Sequence, residues 1–249
     1  MKILWYRCGE QKNIKAAVIL VITIFFSPLV YAQNHPPGFY QVFDNSAGLV
    51  MEIPLAVKDD LGDLFINDTW RLGAIELFNE LVIDEYYYKY EIVKDHFELQ
   101  TSEGIKILPG SWVKKFNWKE PELNRERQFV TGKGFFVDKV PFDGFFEVLF
   151  KGKVSLLLKV EAEVMESNYV PQFNIGTQGK QYQKKELYYM AEPGNTFLLN
   201  KKIKQNLPHF GEDASNIEDY VKTNKLKFNR PNDLIRIVEY YDKLKSSSN

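Results

Sequence analysis

The sequence predicts a mainly β protein: an antiparallel meander, sandwich or partly closed barrel, followed by two or three short C-terminal α-helices. Three observations predict it. Residues 154–164 place Val154, Leu156, Leu158, Val160, Ala162 and Val164 at every second position, with Ser155, Lys159, Glu161 and Glu163 between them. A helix would set Leu158 and Val160 roughly 200° apart on its surface, so this is a strand. Aromatic and β-branched runs recur between turn pairs from residue 64 onward, and the chain's 19 Phe, 14 Tyr and 4 Trp favour strands over helices. After residue 200 the apolar spacing changes to a helical one.

The elements follow in order. Residues 33–63 begin irregularly with Pro36-Pro37-Gly38, hold strand-like pieces at 39–43 and 49–53, and end in a polar turn at 58–63. Residues 70–78 and 86–93 are strands. In the second, Tyr86, Tyr88, Tyr90 and Ile92 share one face, and Tyr87, Lys89 and Glu91 the other. Lys94-Asp95 turns the chain into a strand at 96–100. Residues 105–108 lead to Pro109-Gly110, a type II turn pair. Trp112, Lys114, Phe116 and Trp118 then fall on one side of a further strand. Gly132-Lys133-Gly134 is a hairpin turn. Residues 145–150 are nearly all apolar, and Lys151-Gly152 joins them to the long alternating strand, which has one buried side. Residues 166–179 lose periodicity and form a polar loop. Alternation returns at 182–190, Pro193-Gly194 turns the chain, and residues 197–199 close the sheet.

In the tail, residues 201–207 form a short helix stopped by Pro208. Ser215-Asn216-Ile217-Glu218 reads as a capping box, in which the Ser hydroxyl accepts from an orphan N–H and Glu218 reaches back. Pro231 opens the last helix, with Asp233 favourable to its dipole. Leu234, Ile237, Val238, Tyr241 and Leu244 give that helix an apolar face. Helices this short need packing partners, so residues 200–249 are expected to form an appendage packed on the β-domain of residues 33–199.

The first 32 residues have the layout of a secretion signal. Lys2, Arg7, Lys12 and Lys15 are basic, residues 16–26 are apolar apart from Thr23, and Val30-Tyr31-Ala32 follows Pro28. Cleavage is expected between Ala32 and Gln33. The apolar stretch of residues 16–32 is 17 residues long and interrupted by Pro28, at the lower limit for a permanent inner-membrane anchor, which is the alternative. The expected product is exported, periplasmic or extracellular, and meets the membrane only through the signal segment during export.

Removing residues 1–32 takes away four basic residues and one acidic one, leaving 28 basic against 32 acidic residues in 217. No basic stripe suggests nucleic-acid binding. Cys8 is the only cysteine, so the processed chain has no disulfide and no thiolate metal site, which leans toward a bacterial source.

No catalytic constellation is legible. His35, His96 and His209 are scattered, without a second ligand at metal-binding spacing on a helix, so no metal and no cofactor is expected. Asp59, Asp60, Asp63 and Asp68 crowd Gly62, but not in the order of an EF-hand loop. There is no Gly-x-Ser-x-Gly elbow and no phosphate-binding loop. Glu161 and Glu163 read as the wet face of a strand. The candidate binding set is aromatic: Trp112, Phe116 and Trp118, with Tyr86 and Tyr88. Exposed, they would stack on a glycan or peptide; buried, they are core.

Several stretches carry a resemblance. These are Asp68-Thr69-Trp70-Arg71-Leu72-Gly73, Lys89-Tyr90-Glu91-Ile92, and Gly144-Phe145-Phe146-Glu147-Val148-Leu149 followed by Leu156-Leu157-Leu158. With the C-terminal segment from Ile217 to Tyr241, including Tyr220 and Tyr240-Tyr241, the chain resembles uncharacterised exported proteins of Bacteroidota-type bacteria. The resemblance implies the bacterial envelope and carries no activity. The functional expectation is a non-enzymatic binding or structural protein with a protein, peptide or glycan partner. The alternatives are a hydrolase of envelope polymers or glycans and a carrier of an apolar ligand.

Overall fold

The dominant element is one large, mainly antiparallel sheet, followed by helices. The computed structural model describes residues 51–52, 60–62, 64–137, 139–165, 172 and 180–247. The expected cleavage point at Ala32 and Gln33, the strand piece at 39–43 and all but residue 172 of the polar loop at 166–179 lie outside the described residues. The strands are β1 (Met51–Glu52), β2 (Asp60–Gly62), β3 (Arg71–Leu77), β4 (Val82–Glu91), β5 (His96–Thr101), β6 (Gly104–Pro109), β7 (Val113–Glu120), β8 (Arg125–Thr131), β9 (Phe136–Val137), β10 (Val140–Pro141), β11 (Phe145–Phe150), β12 (Ser155–Met165), β13 (Lys180–Glu192) and β14 (Asn195–Leu198). Eleven run in the order β1-β6-β5-β4-β3-β7-β8-β11-β12-β13-β14. Each neighbouring pair is antiparallel. β2 adds to β13 in parallel, so part of the expected polar turn at 58–63 is a strand. β9 and β10 form a separate hairpin.

The sheet curls because its aromatic face must be buried. Phe97 of β5 and Phe145 of β11 are five strand positions apart, roughly 24 Å in a flat sheet. Their rings lie 5.6 Å apart, both within 5.0 Å of the Phe116 ring between them. Tyr88, Tyr90, Trp118 and Phe129 complete this core, with Phe116 stacked on Phe129 at 4.4 Å. Gly73 permits the curl's tightest approach: a Cβ there would overlap the Asn117 carbonyl of β7. The Tyr88 hydroxyl crosses the same gap and donates to that carbonyl.

The other half of the sheet is covered by added elements. Helices α1 (Ile203–Asn206), α2 (Ala214–Thr223) and α3 (Pro231–Ser247) bury Ile217, Val221, Leu234, Ile237, Val238 and Tyr241 against Val154, Leu156 and Met190. Phe135 and Phe142, flanking the β9–β10 hairpin, pack on a second cluster of Phe146, Leu157 and Tyr189. The start of β12 is therefore buried on both faces: Leu156, Leu157 and Leu158 are all below 8 % exposed. A strand with one buried side was expected. Leu157, an apolar residue on the otherwise polar side of the strand, fills the second cluster.

Several local expectations change for physical reasons. β4 ends at Glu91, and a four-residue turn, Ile92 to Asp95, replaces the two-residue one, with Asp95 at φ 50. Pro109-Gly110 is not a type II turn; Gly110 opens a single 3-10 turn and packs so closely on Asp95 that no side chain fits. Gly152 serves close approach as well: a Cβ would meet Asp242 of α3 at 2.5 Å. A register shift opposite Glu76 and Leu77 makes Val113 the inward residue, so Trp112 and Lys114 leave the face of Phe116 and Trp118. The α-helical part of the tail ends at Asn206, before Pro208, which lies in the first turn of a 3-10 segment that is kinked at Gly211. Helix α2 begins at Ala214, one residue before Ser215, and its N-cap residue, Asp213, makes no side-chain capping bond, so the capping box does not form. No helix among the described residues is long and apolar enough to cross a membrane.

Candidate functional site

The five aromatic candidates are divided by the fold. Tyr88, Phe116 and Trp118 are 1 to 3 % exposed and build the curled core, where no external ligand can stack on them. Trp112 and Tyr86 are half-buried. The indole N–H of Trp118 is buried without an acceptor among the described residues. Three of the five therefore belong to a hydrophobic interior and not to a surface platform.

The site that the fold presents instead is a cleft of about 470 Å³ where the curl opens. One lip is the end of β4 and its turn, with Tyr90, Ile92, Val93 and Asp95. The floor is Asp143, Gly144 and Phe145 at the start of β11. The other lip is Lys159 to Ala162 of β12, with Tyr182 of β13. The gap exists because β11 is short: its last pairing with β12 joins Phe146 to Lys159, whereas β12 pairs with β13 as far as Met165. Among the described residues, β12 from Val160 onward has no strand on its β11 side. Leu61 pairs with Gln181 of β13, and Phe65 bridges to Glu91 at the end of β4.

The cleft's polar groups are held in place. The Tyr90 hydroxyl donates to Asp95 Oδ1 at 2.7 Å. Burial first, then Asp95 and Asp143, raises the Tyr90 phenol far above its ordinary range, so it remains a donor. Gly144, at φ 70, admits the Tyr90 hydroxyl within 3.2 Å of where a Cβ would stand. Lys159 Nζ lies 2.9 Å from Glu161 Oε1. Three carboxylates (Asp95, Asp143 and Glu161) against one ammonium leave the cleft negative.

Two further charged clusters flank the core. On the inner face, Arg127 lies between Glu147, contacted through both Nε at 2.8 Å and Nη2 at 2.5 Å, and Glu120, contacted through Nη1 at 3.2 Å. Arg125 Nε adds 2.7 Å to Glu120. Burial would raise the Glu120 carboxyl, but Arg125 and Arg127 outweigh it and hold it below its ordinary value. On the outer face, Glu91 pairs in register with His96, and one donor atom each of Glu91, His96 and Glu98 lies within 4.8 Å of the others. His96 is lowered, with burial outweighing the pull of Glu91 and Glu98.

Compared with protein-family models, curated proteins and solved structures, the chain matches none.

The cleft residues come from segments that sequence spacing cannot join. Tyr90, Asp143 and Glu161 meet only through the sheet order.

Proposed function

We propose that the protein is a non-enzymatic binding protein of the bacterial envelope that holds an extended, basic segment of a partner along the free edge of β12. One observation carries this reading: β12 runs beyond its last pairing with β11 and, among the described residues, turns an unpartnered edge toward a 470 Å³ cleft. An unpaired edge offers a row of N–H and C=O groups, and an extended chain that joins it gains main-chain hydrogen bonds while pockets select alternate side chains. The negative balance of Asp95, Asp143 and Glu161 over Lys159 favours cationic side chains. Four charged groups suit an apolar cargo poorly. The envelope location rests on the basic, then apolar leader ending at Val30-Tyr31-Ala32.

The test is a titration of the full chain with a short labelled peptide that alternates lysine and valine, followed by fluorescence anisotropy. Saturable binding is expected, weakened by salt and by Asp143→Asn, with no binding of the glutamate–valine counterpart. Equal binding of both peptides, or of neither, would refute the reading. Cleavage of the peptide or of an added glycan would support the hydrolase alternative instead.

A further inference from the structure

We propose that Glu91, His96 and Glu98 form a binding site for a divalent transition-metal ion of the zinc class, on the outer face of the β4–β5 hairpin. The hairpin supplies the geometry. His96 and Glu98 are two apart on β5 and share a face, and the antiparallel register sets Glu91 directly across from His96. The donor spread of 4.8 Å or less needs only small rotamer changes to reach the roughly 3.5 Å separations of ligands around a tetrahedral ion.

A second observation points to a ligand. Glu91 is 3 % exposed, and its Oε1 is buried and accepts no hydrogen bond among the described residues. Lys94 Nζ stands 3.2 Å from that oxygen as an ion pair, but the side chain is half in water and can swing away. Lys89 is 3.7 Å from Glu98 and is held over the rings of Phe65 and Trp70 at 4.2 and 4.6 Å, so it is drawn off the cluster. A carboxylate oxygen buried without a hydrogen bond is costly, and a doubly charged ion bound directly to it offsets that cost better than the half-exposed Lys94 ammonium at 3.2 Å. The bland alternative is a salt-linked hairpin face, in which the two lysines balance the two glutamates.

The donor set selects the ion. One imidazole with two carboxylates suits zinc and its first-row neighbours, whereas calcium and magnesium prefer oxygen alone. Three protein ligands leave a position for water. Glu91 and His96 close the turn whose Ile92, Val93 and Asp95 line the cleft, so a bound ion would pin that lip. The metal site itself does not rest on the peptide-binding reading.

The experiment is calorimetric titration of the full chain, stripped with a chelator, with Zn²⁺. One saturable equivalent is expected, with a rise in Tm on binding, and excess Ca²⁺ or Mg²⁺ should not compete. Glu98→Gln, nearly isosteric, and His96→Ala should each weaken binding by at least roughly 100-fold, because even an outer-shell partner is worth roughly 10- to 100-fold. Circular dichroism verifies that both variants fold. Lys94→Ala should bind as well as the unaltered chain or better. The proposal is overturned if Zn²⁺ shows no saturable binding, or if the His96 and Glu98 variants bind it unchanged, which would place the ion elsewhere.

Discussion

The two ends of β12 differ although they belong to one unbroken strand. From Leu156 to Lys159 it has strands on both edges, the α2–α3 core on one face and the Phe135–Phe142 cover on the other. From Val160 to Met165 it keeps, among the described residues, only β13, and its apolar side chains lose their cover: Val164 and Met165 are 54 and 45 % exposed. The alternation of residue types continues across both ends. What changes is the company around the strand, which is set by the length of β11 and by where the helices dock. The buried end therefore carries stability, and the open end is available for recognition.

The largest expected effect lies beside the buried end, where Glu147 pairs in register with Leu158. Arg127→Met removes the cation between Glu120 and Glu147 and leaves the buried Glu147 carboxylate without its cation, while Glu120 keeps Arg125, so urea unfolding should show a loss of about 3–5 kcal/mol. Leu157→Ala opens a cavity under Phe146 and Tyr189 and should cost about 2–5 kcal/mol. Val164→Thr, at the open end, should change stability by less than about 0.5 kcal/mol. A large loss there would mean that the open end is packed after all, and the contrast between the two ends would fail.

A pH dependence sharpens the same contrast. The Glu120 carboxyl is held below its ordinary 4.5 by Arg125 and Arg127, against the effect of burial. A depressed folded-state value contributes stability that is fully present above pH 4.5 and is lost as the pH falls through the lowered value. Acid unfolding of the unaltered chain should steepen below pH 4.5, and Glu120→Gln should flatten that region of the profile. Equal slopes in the two chains would show that the Arg127 network does not respond to acid.

The fold was largely legible in the sequence because hydrophobic period is a local property. The alternation at 154–164, the Tyr86–Tyr90 face and the α3 stripe all correspond to observed elements. Turn geometry was less legible. Pro109-Gly110 and Lys151-Gly152 have turn composition, yet both glycines are required by contacts with Asp95 and Asp242, which are remote in sequence or unknown until the chain folds. Register was the costliest loss. A two-residue turn at Lys94-Asp95 would set Glu91 opposite Glu98. The actual four-residue turn sets Glu91 opposite His96 and Lys89 opposite Glu98, and this creates the outer-face cluster. The cleft was not legible at all, because it arises where β11 begins only at Phe145, and no residue of β12 records that. The aromatic candidates were chosen by composition, and the curl turned three of the five inward.

The most direct measurement is amide hydrogen exchange along β12, with and without the lysine–valine peptide. Alternate amides between Val160 and Met165, those facing the cleft, should exchange fast in the free chain and become protected when the peptide binds. Those of Leu156 to Leu158 should stay slow throughout. Protection of the whole of β12 already in the free chain, or no change at residues 160–165 on peptide addition, would contradict the claim that this edge is the binding surface.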